Sequence, residues 1–448
     1  MKNSIKLIAA TAFTVLLTNS AKAQSQISFF HLGDYVQQST DVSPVYIPKN
    51  SFSFGLPGVS LSFSNGFSSS DLLTVEAGTE NTTDQFGNDT ERLDYNFQNI
   101  YDQVDGDYND LSLIQSVNIL NLAFKRKHGS LSLFVNQKSN VNWQMSKNGL
   151  LNLFNDGLAK TGNSIVIDDN VDVTSYVEGG VGFTQQFLKD KLAIGVRVKY
   201  LIGISNGSTE EDGTAQIDIN NDMSWTINTN NAFARTAGLT GEDDEEFSTA
   251  NSGIGFDIGA SYEIIPNLVI EAAVNDIGSI TWKENVKEYY LEDVTNLKHD
   301  GTDLRSDNDV LEELEALVET GKLDASEREG SSYKTSLMTT SYLSASYKLA
   351  NIHQFRATMY NNHKLEDSKA ILALGYNLAL DKTTYGVVGI KNDQGDMDLG
   401  VNLATKLGPL QLYLATDNLN KLLGPVEDIR QANIRFGLNF VFGYNKWL

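Results

Sequence analysis

Ile434-Arg-Phe-Gly-Leu-Asn-Phe-Val-Phe-Gly-Tyr444 is the stretch that decides the fold. Ile434, Phe436, Leu438, Phe440, Phe442 and Tyr444 alternate with Arg435, Gly437, Asn439, Val441 and Gly443. A period of two places one set on one side of a strand and the other set on the opposite side. A soluble sandwich alternates as well, but its polar side is usually charged and rich in lysine. Here one side is apolar and aromatic throughout, while the other is small or polar. That is the pattern of a barrel wall with lipid outside and a polar lumen inside.

The same alternation recurs upstream. Leu192, Ile194, Val196, Val198, Tyr200, Ile202 and Ile204 alternate with a set that includes Arg197 and Lys199. Ile254, Phe256, Ile258, Ala260 and Tyr262 leave Asp257 on the other face, and Leu268, Ile270, Ala272 and Val274 leave Glu271 there. If the apolar sets face lipid, the charges face inward. Tight turns fall at Lys127-His128-Gly129, Lys189-Asp190, Pro266-Asn267, Ala350-Asn351, Asp381-Lys382 and Gly408-Pro409. Between them lie the long or polar connections 65–114, 144–172, 206–251, 283–332, 365–367, 392–395 and 418–431. Short and long connections alternate, so the expected fold is all-β: a transmembrane antiparallel β-barrel of about 14 strands, with both termini on the periplasmic side and long outer loops. The strand-like segment 214–229 is expected as a hairpin in an outer loop, because a wall strand there breaks the parity.

Lys2 and Lys6, the apolar run Leu7 to Leu17 and the small-x-small site Ala21-Lys22-Ala23 read as a secretory signal over residues 1–23, leaving Gln24 as the new first residue. Its removal takes away three lysines, which carries the net charge from −23 to −26. So acidic a chain does not bind nucleic acid through charge. There is no Cys, so no disulfide framework contributes, and no later apolar run reaches the length of a membrane helix. Residues 51–448 are read as the barrel, and localisation in the bacterial outer membrane follows. Outer-membrane lipid, lipopolysaccharide and the barrel-insertion machinery are the expected surroundings.

Of the six Pro, only Pro57 falls within a proposed strand, as suits a ladder that needs its donors. Trp143 and Trp282 close outward-running strands, and Tyr444 and Trp447 stand at the opposite rim; these four are expected in aromatic girdles. The segment 24–50 mixes polar residues with Phe29, Phe30, Tyr35 and Tyr46 and ends in Ser43-Pro44-Val45-Tyr46-Ile47-Pro48. Its apolar residues need burial, so a plug in the lumen is expected, with Pro44, Tyr46 and Pro48 as candidate plug residues; the alternative is a loose periplasmic tail. The inward charges Glu178, Arg197, Lys199, Asp257, Glu271, Arg356 and Arg435 are expected to form a lumen network, either a rigidifying set of ion pairs or a selectivity lining.

The outer loops carry the acidic runs Glu210-Glu211-Asp212 and Glu242 to Glu246, and a loop helix is expected over Asp309 to Thr320. Asp105, Asp107 and Asp110 form an oxygen-rich turn that lacks the terminal Glu of a calcium loop, so it is a weak calcium candidate and no cofactor is expected. His31, His128, His299, His353 and His363 have no catalytic or metal-ligand spacing, and no nucleophile motif accompanies them. An enzyme is not expected.

Glu178-Gly-Gly-Val-Gly-Phe183, Leu192 to Gly203, Gly255 to Tyr262, Asn275 to Trp282, Gly408 to Asn418 and Arg435 to Gly443 resemble segments of the FadL-like outer-membrane barrels, in particular the PorV-like branch and relatives of unknown function. The resemblance spans most of the mature chain. It implies a 14-stranded barrel with an N-terminal plug, and a transport-type channel for hydrophobic or small solutes. The PorV-like alternative implies a non-transporting scaffold with secretion or surface-protein partners. The Asn-Pro-Ala start of the family's plug is replaced here by Val42-Ser-Pro-Val-Tyr-Ile-Pro48, which leaves the solute open.

Overall fold

The computed structural model describes residues 26–75, 82–83, 89–90, 93–104, 106–155, 160–209, 213–238, 249–299, 324–363, 370–391 and 397–443. The expected signal segment, the acidic runs, the helix expected over 309–320 and the expected rim residues Tyr444 and Trp447 lie outside them.

The wall is a closed antiparallel barrel of 14 strands. β1 runs Phe52–Gly55 and resumes beyond Leu56-Pro57 as Gly58–Ser64. It is followed by β2 (Tyr108–Arg126), β3 (Gly129–Ser146), β4 (Asn170–Phe187), β5 (Leu192–Thr209), β6 (Ser252–Ile265) and β7 (Leu268–Trp282). β8 runs Tyr333–Ser336 and Thr340–Leu349. The wall ends with β9 (His353–Asn362), β10 (Ile371–Ala379), β11 (Thr383–Lys391), β12 (Met397–Leu407), β13 (Leu410–Thr416) and β14 (Gln431–Phe442). Each strand pairs with the next, and β14 closes on β1. Short turns and long loops alternate as expected, so the barrel has a turn end and a loop end. No helix among the described residues is long and apolar enough to cross a membrane.

Strand length is uneven. β2 spans 19 residues and β3 to β5 span 18 each, whereas β13 spans 7. A membrane crossing takes about 9–11 residues. The long strands therefore continue beyond any bilayer at the loop end. There the hairpin Thr214–Ile219 with Trp225–Asn230 joins Ser164–Ile167 and Leu297–His299 in a separate four-stranded sheet over the core residues Ile165, Ile217, Trp225 and Ile227. This is the loop hairpin that parity required.

The outward face carries large apolar side chains on every long strand, among them Leu133, Val181, Val196, Ile258, Leu343 and Leu374. Phe124, Phe187, Tyr262, Tyr347, Phe355, Tyr385 and Phe442 are exposed near the turn end. They form an aromatic rim at the turn end, whereas Trp143 and Trp282, expected in a girdle at the loop end, are both buried. Trp282 is fully buried, packed with Tyr176, Leu201 and Ile280 inside the wall. The cause is a bulge in β7: Asn275 and Asp276 both stand against Asp257, Asp276 takes φ +58, and every later residue of β7 changes face. Trp143 lies where β3 overruns the outward band, and Phe67, Ile100 and Val104 fold over it.

Candidate functional site

Residues 26–50 lie inside the barrel. A short helix, Ile27–Phe30, is followed by 3₁₀ turns at Gly33–Tyr35 and Gln37–Asp41 and then by turns and irregular chain. Its apolar residues Ile27, Phe29, Phe30, Leu32 and Val36 are buried against wall residues such as Tyr342, Tyr360 and Tyr413. The wall answers its backbone groups one by one. The Ile27 and Ser28 amides donate to the Asp417 carboxylate at 3.0 and 2.7 Å. The Arg197 Nη1 donates to Thr40 O, Asn275 Nδ2 to Val42 O and Thr184 Oγ1 to Pro44 O. Gln38 exchanges two amide bonds with Asn439. Buried polar groups must be partnered, and here the strands supply the partners. Close approach needs a bare wall: a Cβ on Gly195 would stand 2.0 Å from Pro44 O.

At the centre the segment meets a cluster of charge. Lys199 Nζ stands 2.5 Å from Asp276 Oδ1, 2.6 Å from Asp257 Oδ1 and 3.6 Å from Glu178 Oε2. Lys138 Nζ lies 3.0 Å from Asp276 and 3.3 Å from Glu178. Arg197 bridges Asp257 at 3.3 Å and Asp41 of the segment at 2.9 Å, and Arg435 reaches Asp41 at 2.6 Å. Lys138, Lys199, Arg197 and Arg435 thus balance Glu178, Asp257, Asp276 and Asp41. Neutrality is what allows so many charges to leave water. A second cluster lies at Tyr46, whose hydroxyl donates to Glu271 Oε2 at 3.1 Å and accepts from Arg356 Nη1 at 2.7 Å. The guanidinium of Arg197 stacks on Phe134 and that of Arg435 on Phe29, each at 3.7 Å. Toward the loop end a cavity of about 70 Å³ remains, bordered by Lys138, Asp276, Arg435, Tyr176, Tyr342 and Tyr360.

All seven lumen candidates read from the alternation are buried within the wall. Glu178, Arg197, Lys199 and Asp257 share the central cluster, Arg435 joins it through Asp41, and Glu271 with Arg356 makes the second. Pro44 and Tyr46 make the contacts just given, and Pro48 is buried beside them. Lys138, Asp276 and Asp41 were not foreseen. Lys138 was legible, because Leu131 and Leu133 take the outward positions of β3. Asp276 was not, because strict alternation puts it with Val274 until the bulge turns it inward.

Other candidates do not converge. Asp107 is exposed, Asp110 is buried within β2 and Asp105 lies outside the described residues. Among the described residues no three His, Asp or Glu are grouped to hold a metal ion. His31 Nε2 bonds Thr358 Oγ1, His128 pairs with Asp190, His353 bonds Tyr376, and His299 packs on Trp225. His363 Nε2 bonds Ser341 Oγ at 2.9 Å near the loop end.

Among solved structures, the P. putida toluene transporter TodX is similar at 10% identity and TM-score 0.40, over 92% of this chain and 95% of its own. The Ralstonia pickettii toluene transporter TbuX is 8% identical at TM-score 0.35, over 92% and 95%. A Pseudomonas aeruginosa FadL homologue is 10% identical at TM-score 0.37, over 96% and 100%. The chain matches none of the curated proteins. A family model matches residues 44–417, from the last part of the lumen segment to the Asp417 that holds its start, and on that match the chain belongs to the family of unknown function DUF5723.

Proposed function

We propose that the chain is a bacterial outer-membrane channel of the transport type for hydrophobic or small solutes, with residues 24–50 as its plug and a lateral exit through the wall. One observation carries this reading: the break in β1 beside the segment. The ladder pairs Gly55 with Asn121 and Gly58 with Asn118, and leaves Leu56-Pro57 facing Ile119-Leu120 without a register pair. Pro57 has no amide to donate, and β2 bulges at the same height, between Asn118 and Leu120. Two irregularities facing each other weaken the wall at one place. Just inside it, Gln37 of the segment bonds Asn121. A solute released from the lumen there enters the hydrocarbon without crossing the turn end.

The chain has no Cys, so the test starts from a clean background. Leu56→Cys with Ile119→Cys places a thiol on each side of the break. In vesicles carrying the folded barrel, wild type is expected to speed transfer of the lipophilic dye 1-N-phenylnaphthylamine; the oxidised double variant is expected to lose that gain, and reduction to restore it. Equal transfer in the oxidised and reduced forms would remove the lateral exit.

A second reading, a non-transporting scaffold, is favoured by a different feature. At the loop end a groove of about 350 Å³ is lined by Phe233, Tyr289, Tyr290 and Leu291, an apolar surface of the kind that partners cover. Absence of dye transfer in wild type, with or without residues 24–50, would move the assignment there.

A further inference from the structure

The outward face of β7 to β11 holds a groove. Cross-strand registers set Ile270, Ala345, Ala357, Leu374 and Gly389 side by side in one row. The row above it, toward the loop end, reads Leu343, Met359, Leu372 and Lys391. Below it stand Tyr347 and Phe355. Two methyl groups and a bare Cα between ridges of long side chains leave a hollow of about 710 Å³, within the range of roughly 300–1,000 Å³ typical of ligand sites.

The upper rim of the hollow is polar. Lys391 is exposed on the outward face, between the apolar neighbours Leu372 and Met397. A lone ammonium among apolar side chains belongs where a strand leaves the hydrocarbon and its amine reaches the head groups. On the other side, one row above Leu343, Ser341 Oγ bonds the exposed His363. Lys391 and Ser341 are three strands and one row apart, or about 16 Å at the usual spacings of about 4.8 Å between strands and about 3.3 Å per residue. The chain as a whole carries a net charge of −23, which repels anions, so a cation above an apolar hollow is a local exception.

We infer that this groove is a specific site for one phosphorylated, multiply acylated lipid of the surrounding leaflet. Its chains lie over Ala345 and Ala357, and its phosphates meet Lys391 and the Ser341–His363 pair. The inference rests only on this wall facing a bilayer and is independent of the lateral exit at β1, which lies on other strands.

The test uses the folded full mature chain in detergent micelles, titrated with diphosphoryl lipid A, dimyristoyl phosphatidic acid and dimyristoyl phosphatidylcholine, with bound lipid read by native mass spectrometry. Lipid A is expected to bind as one equivalent, at least about tenfold more tightly than the zwitterionic lipid, and Lys391→Gln is expected to weaken it by about tenfold. Ala345→Leu with Ala357→Leu fills the hollow and is expected to abolish the bound equivalent. Both variants should keep the gel mobility of the folded barrel. Equal retention of the zwitterionic lipid, or undiminished binding in both variants, would reduce the site to ordinary annular lipid and overturn the proposal. Tighter binding of phosphatidic acid than of lipid A would overturn the assignment to a multiply acylated lipid. Hydrolysis of the bound lipid that Ser341→Ala removes would replace the docking site by an esterase.

Discussion

Lys199 is the residue on which the lumen turns: one ammonium, almost wholly buried, faces three carboxylates. Its removal leaves Asp257, Asp276 and Glu178 short of a cation in a buried site. Lys199→Met is expected to cost about 3–5 kcal/mol in urea unfolding of the reconstituted barrel, and adding Asp257→Leu to recover a large part of it. A double variant as unstable as the single would mean that packing, and not charge balance, governs the site. A different residue gives a pH signal at the loop end. Asp169 is pushed up to about 6, chiefly by burial and further by Asp168, against the opposing bonds from Trp143 Nε1 and the Ser146 amide. A folded value raised above the unfolded value of about 3.9 means a contribution that is full below pH 4 and lost as pH rises through about 6. Trp143 emission is therefore expected to change with a midpoint near 6, and Asp169→Asn to abolish the change. These residue faces were readable wherever alternation ran unbroken, as at Arg197, Lys199 and Asp257. Trp143 was misread because alternation reports a face and not what later folds over it.

Two elements are shaped to the lumen segment, one by a bulge and one by a glycine. The bulge in β7 holds Asp276 at positive φ, where its amide donates to Asp257 Oδ1 at 2.7 Å and its carboxylate meets two lysines. Nothing in the order of residues marks the bulge, since Asn275-Asp276-Ile277 reads as well in a straight strand; the ion pairs it makes possible are tertiary. β5 shows the complementary device. Gly195 stands inward where the segment presses closest, so Gly195→Ala forces the Pro44 backbone to shift. The expected outcome is a folded wall with a loosened segment: limited proteolysis cleaves within 24–50 faster than in wild type, while unfolding of the barrel changes little. Unaltered protection would show that the segment has slack at Pro44. The alternation around Ala193, Gly195 and Arg197 assigned these positions to the lumen, but it gave no means of telling a glycine that admits the segment from one that merely fills a strand.

For the molecule as a whole, the segment and the charge cluster divide the lumen. Deleting residues 24–50 removes Asp41, and with it the anion shared by Arg197 and Arg435, along with the apolar residues that fill the barrel's middle. Conductance in planar bilayers is expected to rise on that deletion, with a cation-to-anion preference shifted toward anions by the one positive charge left unbalanced, since Arg197 keeps Asp257 while Arg435 loses its carboxylate. No conductance in either form would mean that the wall's own side chains close the lumen. The closed barrel, its 14 strands, the alternation of short turns with long loops and the inward charges were determined by the sequence alone, because period two and turn chemistry are local properties that survive in any register. The tertiary structure alone decided which charges meet, that Trp282 points inward, that the wall breaks at Leu56-Pro57 against Ile119, and that Ala345, Ala357 and Gly389 share one hollow. Each of these depends on the pairing of residues far apart in the chain. A bulge of one residue reassigns every face beyond it, and periodicity carries no record of that shift.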